Sequence, residues 1–142
     1  MTPDHVQASL VKLSSTHWTV ANRADDIRGR RVLDPDGEAV GEIEDLLIDH
    51  QERKVRLLQV ASGGVLGLGA TTFLLPVEAI TRVSEEAVHI DQRRERIVGA
   101  PPYDPALVDQ RYVHDLYSHY GYAPYWAATG VYPPYPFSPP RP

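Results

Sequence analysis

Between Arg30 and Asp91 short runs of β-branched residues and leucine follow one another, each broken by turn chemistry, with no polar constellation suited to catalysis. Val32-Leu33 is the first run, and Asp34-Pro35-Asp36-Gly37 ends it. Proline there presets one turn angle and glycine can take positive φ, so the pair of strands reads as a hairpin. The next strand is expected from about Val40 to Ile48, and a third from Val55 to Ala61 after a turn over residues 49–54. Their spacing is not helical and their composition favours a pleated surface. A fourth strand, Thr71 to Leu75, stops at Pro76, which has no N–H to give to a ladder. Val77-Glu78-Ala79 fits a single helical turn. Ile80 to Val83 and Ala87 to Ile90 then pair across Ser84-Glu85-Glu86. Strands this short leave two raw edges unless the sheet closes, so an all-β fold is expected: a small closed barrel of about six strands.

The rest of the chain divides around that core. Residues 1–22 form a leader, partly ordered, in which Val6, Leu10, Val11 and Leu13 suggest a helical turn or two and Trp18 can dock on the barrel's outside. Asp25-Asp26-Ile27-Arg28-Gly29 reads as a capped turn entering the first strand. The barrel domain spans 23–103. Residues 104–121 are expected to be a helix: Asp104 as N-cap, Pro105 in the first turn, and Gly121 as the C-terminal cap. Leu107, Val108, Tyr112, Val113, Leu116, Tyr117 and Tyr120 fall on one stripe of that helix. Residues 122–142 are a Tyr/Pro-rich tail, expected to be extended and partly disordered. Every tyrosine of the chain lies beyond residue 100.

Composition removes several classes of function. The 142 residues carry a net charge of −5, with acids and bases interspersed through the middle of the chain. Duplex phosphates need clustered Lys and Arg, so nucleic acid is not an expected partner. The absence of cysteine excludes disulfides, thiolate zinc sites, iron–sulfur clusters and cysteine nucleophiles. No apolar run approaches the roughly twenty residues of a membrane-spanning helix, and the N-terminus does not read as a signal peptide. A cytoplasmic protein is expected.

Each polar cluster has a modest reading. The six histidines are scattered; His114 and His119 point to different helical faces, and Asp115 with His119 makes at most one weak pair. No metal or other cofactor is expected. Glu42, Glu44, Asp45 and Asp49 read as a wet outer surface, and no cleft is evident in which two carboxylates could cut a glycoside. Gly63 to Gly69 lead into a strand rather than a helix, which is the wrong context for a phosphate loop. No catalytic residue is assigned, and the chain is expected not to be an enzyme.

The candidate contacts are apolar and aromatic. Val65, Leu66 and Leu68 are unusually apolar for a loop and either plug the barrel or meet a partner. Leu116, Tyr117, Tyr120, Tyr122, Tyr125 and Trp126 either dock on the barrel or bind another protein. Each aromatic ring can bury roughly 150–250 Å². Docking two of them is worth several kcal/mol as an upper estimate, comparable to the stability of a small domain.

Five blocks in order resemble the PRC-barrel domain: Arg28-Gly29-Arg30-Arg31-Val32, Asp36-Gly37-Glu38-Ala39-Val40-Gly41, Asp45-Leu46-Leu47-Ile48-Asp49, Gly63 to Gly69, and Leu75 to Ile80. Ala100-Pro101-Pro102-Tyr103 resembles the segment that follows such barrels. Tyr120-Gly121 and Pro124-Tyr125-Trp126 are similar to extensions of stand-alone bacterial members. The resemblance implies a small β-barrel serving assembly, as in the cytoplasmic domain of the photosynthetic reaction-centre H subunit and the C-terminal domain of the ribosome maturation factor. It supplies no catalytic motif. The expected function is therefore a non-enzymatic protein–protein interaction or assembly module, with a protein partner or a second copy in a homodimer. The alternatives are a component of photosynthetic-type electron transport, or a barrel that senses a small molecule or metal.

Overall fold

The computed structural model describes residues 10–15, 19–20, 26–49, 54–62, 71–104, 108–127 and 140–141. Val6, Trp18, Asp25, the Gly63-to-Gly69 loop with Val65, Leu66 and Leu68, and most of the tail after residue 127 lie outside the described residues. The strands are β1 (Leu10–Lys12), β2 (Thr19–Val20), β3 (Arg31–Leu33), β4 (Ala39–Asp49), β5 (Lys54–Ala61), β6 (Thr72–Pro76), β7 (Ile80–Val83), β8 (Ala87–Ile90) and β9 (Pro140–Arg141). Two helices follow β8: α1 (Arg94–Val98) and α2 (Gln110–Tyr120). The β-rich expectation holds, and the hairpin β7–β8 falls on the residues expected of it.

β4 organises the sheet. It pairs antiparallel with β5 on one side, from Glu42 opposite Ala61 to Asp49 opposite Lys54. On its other side β3 takes the N-terminal half and β1 the C-terminal half. β3 continues in parallel register onto β8, giving the order β6-β5-β4-β3-β8-β7 with β1 beside β4. A separate two-residue ladder joins β2 and β9. Of the described leader residues expected to form a helical turn or two, Leu10 and Val11 are in a strand instead, and only Leu13 is helical. β4 offers an open ladder beyond β3, and Leu10–Lys12 extends along it before a 3₁₀ turn buries Leu13.

The sheet does not close through hydrogen bonds, contrary to the closed ladder expected from the strand lengths. Its two ends, β6 and β7, are joined by the 3₁₀ turn Val77–Ala79, yet no ladder between them occurs among the described residues. The turn between them withholds two backbone donors. Pro76 has no N–H, and the Ile80 N–H is spent on Val77 O. The interior is nonetheless filled, with Val32, Ile43, Leu46, Leu58, Leu75, Val88 and Ile90 all buried in one cluster.

Two irregularities reset which side chains point inward. β4 pairs Ile43 with Val60 and then Asp45 with Gln59, so Glu44 is an extra residue; β5 pairs Leu57 and then Val55, so Arg56 is another. The shift at Glu44 corrects the reading of the acids. Glu42 and Glu44 are exposed as expected, but Asp45 and Asp49 are buried. The Asp45 carboxylate accepts from the Ser14 hydroxyl, from Ser14 N at 3.2 Å and from Leu46 N at 2.8 Å, while Asp49 meets Arg56. A buried acid survives only with such donors.

Asp34 ties the first hairpin to α1. Its Oδ1 accepts from the amides of Asp36 and Glu38, each at 2.9 Å, and its Oδ2 accepts from Arg94 N at 3.1 Å at the start of α1. That helix has no cap from its own preceding residue Arg93, so Asp34 supplies the missing acceptor across 60 residues of sequence. Burial alone would raise the Asp34 carboxyl, but three backbone donors and the Arg94 charge outweigh it and hold it below the ordinary carboxylate value.

Two predictions follow from these contacts. A Cβ at Gly41 would lie 2.4 Å from the Ala61 carbonyl oxygen, which is backbone and cannot step aside. Gly41→Ala is expected to cost about 1–3 kcal/mol or more, read as a lower urea midpoint. For Asp34, a depressed folded-state pKa means stability that is fully present above the unfolded value of about 3.9 and is lost as pH falls through the folded value. Asp34→Asn should therefore be less stable than wild type by about 1–3 kcal/mol at pH 7. The two urea midpoints should converge as pH drops below about 4; a gap unchanged by pH would refute the account.

Candidate functional site

The outer face of β5 is where the sequence is most unusual. Val55 through Val60 are all buried, although Arg56 and Gln59 are polar. A strand buried on both faces needs a cover, and α2 with the segment Gly121–Ala127 provides part of it. The helix starts five residues later than the Asp104-Pro105 pattern suggested. Asp109 is the N-cap, with Oδ1 accepting Tyr112 N at 2.8 Å, so Asp104 does not perform that role. The expected C-terminal cap is present: Gly121 sits at φ 85°, its N–H donates to Ser118 O and the Tyr122 N–H donates to Tyr117 O. This reversal sends Tyr122, Tyr125 and Trp126 back over the fold.

The candidate contact residues fall into three groups. Leu116, Tyr117 and Tyr120 are buried in the same cluster as the sheet interior, so in this structure they face the chain's own core. Tyr122, Tyr125 and Trp126 are half-buried at its margin. Val65, Leu66 and Leu68 lie outside the described residues. The structure brings the first two groups together.

Polar groups stitch this junction. The Tyr117 hydroxyl donates to Arg56 O at 3.2 Å. The Arg56 guanidinium lies 3.6 Å from Asp49 Oδ2 and stacks 4.6 Å from the centre of the Tyr125 ring. Tyr125 in turn packs on Tyr117 and edge-on against Trp126. Beside them, burial pushes the Glu78 carboxyl above its ordinary value, opposed by its own backbone N–H, the Tyr117 hydroxyl and the Arg56 charge. The Tyr122 hydroxyl donates to Asp91 Oδ1 at 2.7 Å and accepts from Gln92 Nε2 at 2.8 Å. Further along, Arg96 Nη1 donates to His119 O at 3.2 Å and His119 Nε2 lies 2.7 Å from Arg96 O. His119 therefore serves α1 rather than Asp115, which instead lies 3.6 Å from His114.

Sequence reading missed Arg56, Gln59, Glu78, Asp91 and Gln92 as members of this junction. The signal was available in part. Lys54–Ala61 reads KVRLLQVA, and two polar side chains inside a continuous apolar run demand partners on the far side. Gln59 finds them in Glu44 Oε1 at 2.7 Å and the Tyr103 hydroxyl at 3.4 Å.

The two central tyrosines provide a matched test. Tyr117 OH has an acceptor, whereas Tyr120 OH is buried with no hydrogen-bond partner among the described residues. Tyr117→Phe deletes the hydrogen bond to the Arg56 carbonyl and is expected to cost about 1 kcal/mol; Tyr120→Phe removes an unsatisfied hydroxyl and is expected to be neutral or stabilising. Equal losses in thermal or urea unfolding would contradict this assignment of hydrogen bonds.

Among the described residues no group of three His, Cys, Asp or Glu side chains is placed to hold a metal ion, and no helix is long and apolar enough to cross a membrane. No curated protein matches the chain. The PRC-barrel domain family matches residues 20–97, from β2 into α1, leaving α2 and the aromatic segment outside the matched span. That match covers more than half of the 142 residues, and the chain belongs to the PRC-barrel family.

Proposed function

We propose that this PRC-barrel protein is a non-enzymatic interaction or assembly module, acting in the cytoplasm on a protein partner. The observation that carries the reading is the packed apolar interior of the sheet, which gives its inward positions to Val, Ile and Leu and leaves recognition to the outer surface. The half-buried Tyr122, Tyr125 and Trp126 are the contacts we assign to that surface, with Val65, Leu66 and Leu68 as a second contact in the same proposal. Tyr, Trp and Arg are the side chains that most often anchor protein interfaces, and Arg56 lies directly beneath Tyr125. No observation favours the electron-transport or sensing alternatives.

Affinity capture from the native cell tests this, using the full chain and the triple variant Tyr122→Ala, Tyr125→Ala, Trp126→Ala. The wild type is expected to retain specific proteins that the variant loses while still melting cooperatively. Recovery of the same proteins by both would remove the aromatic segment from the contact surface. Recovery of none by the wild type would defeat the module reading.

A further inference from the structure

We propose that Glu78 is an acid-operated latch on the cover of β5. With its carboxyl protonated, α2 and the strap Gly121–Ala127 are held against the strand; with it ionised, they open more readily.

The side chain is set where a charge is poorly served. Glu78 occupies the 3₁₀ turn between β6 and β7, flanked by the buried Val77 and Ala79. The turn is anchored in the fold, since Asp91 N donates to Ala79 O at 2.9 Å. Glu78 Oε1 is out of water and has no hydrogen-bond partner among the described residues. An ionised carboxylate there gives up hydration without a matching donor, whereas the neutral acid loses far less.

The groups around it point the same way. From β5 it meets the Arg56 charge, from α2 the Tyr117 hydroxyl and from the strap the Tyr122 hydroxyl. Behind these stand Asp49 and Tyr125 on Arg56, and Asp91 on Tyr122. Arg56 favours the charged form, but its guanidinium is already drawn to Asp49 Oδ2 at 3.6 Å and to the Tyr125 ring. Tyr117 has a single hydroxyl proton, which goes to Arg56 O at 3.2 Å. A protonated Glu78 can donate to the lone pairs that remain on that hydroxyl. An ionised Glu78 gains a donor there only by drawing the proton off the Arg56 carbonyl, which breaks a tie between α2 and β5.

The cover is built to open separately. The described hydrogen bonds from α2 and the strap to the rest of the chain each use a side chain, as with Tyr117 on Arg56, Gln92 on Tyr122 and Arg96 on His119. It therefore leaves without unzipping a strand ladder. Because burial holds the Glu78 carboxyl above its ordinary value, closing the cover takes up a proton. The grip is complete below about 4.3, weakens as pH climbs from there to the raised value, and changes no further beyond it. Under the module reading, an open cover presents the full rings of Tyr125 and Trp126; the latch itself does not need that reading.

Hydrogen exchange of the full chain tests it, with amides of α2 and β4 followed from about pH 4 to pH 8 in wild type and in Glu78→Gln. After correction for intrinsic rates, α2 amides should open more often than those of β4. The wild-type-to-variant ratio of α2 opening constants should be constant below about 4.3, rise by at most about tenfold per pH unit, and then level. Taking the ratio cancels the other ionisable groups near the cover, among them Asp49, Asp91 and His119. A ratio flat across the whole range overturns the latch. So do α2 amides that open no more often than those of β4, since the cover then leaves only with the entire fold. Should Glu78→Gln fail to fold, carbon-13 titration of Glu78 Cδ in the wild type decides. A midpoint above about 4.3, shared by the Trp126 Nε1–H resonance, is the expected result. A midpoint at or below that value, or a Trp126 signal indifferent to it, overturns the latch. Failure of affinity capture at every pH would remove the module reading and leave the latch standing.

Discussion

The fold depends on a strand that is buried on both faces. β5 places Leu57 and Leu58, adjacent in sequence and so on opposite faces, both out of water. The inward face is met by the rest of the sheet. The outward face requires a second layer, and the chain supplies it from residues that the PRC-barrel match does not include. The sheet and α2 therefore share one apolar cluster.

That dependence explains why the junction mixes hydrocarbon with polar ties. Pure apolar packing would hold the helix without fixing its position along the strand. The Tyr117 hydroxyl on the Arg56 carbonyl, the Tyr125 ring on the Arg56 guanidinium, and Tyr122 between Asp91 and Gln92 set that position at three points. Arg56 can serve two of them because the bulge in β5 lifts it out of the regular alternation.

Much of the architecture was legible in the sequence because turn residues and β-branched runs act locally. The Asp34–Gly37 turn, the single turn at Val77–Ala79, the last hairpin and the Gly121 cap are each determined by a few neighbouring residues. What was not legible acts at a distance. The Asp34 carboxylate on the Arg94 amide, Ser14 on Asp45, and β1 beside β4 depend on pairs 60, 31 or 35 to 39 residues apart, which periodicity does not encode. The helix start was misplaced because Asp104-Pro105 and Asp109 are both good N-terminal signals. The unclosed ladder was missed because strand length argues for closure, whereas pairing of β6 with β7 depends on how the whole sheet curves, which no local run of residues encodes. At the candidate site, the aromatic residues were visible from composition, but their polar counterparts on β5 and near β8 were not.

The tyrosines carry a chemical consequence. Burial pushes the hydroxyls of Tyr112, Tyr117, Tyr120 and Tyr122 upward, that of Tyr112 to about 12. A phenol with a raised folded-state pKa favours the fold below its unfolded value of about 10 and loses that contribution only as pH climbs through the raised one. These four hydroxyls thus stay neutral from acid through mild alkali, and their part in the grip over β5 is set by geometry rather than by the proton concentration of the surroundings.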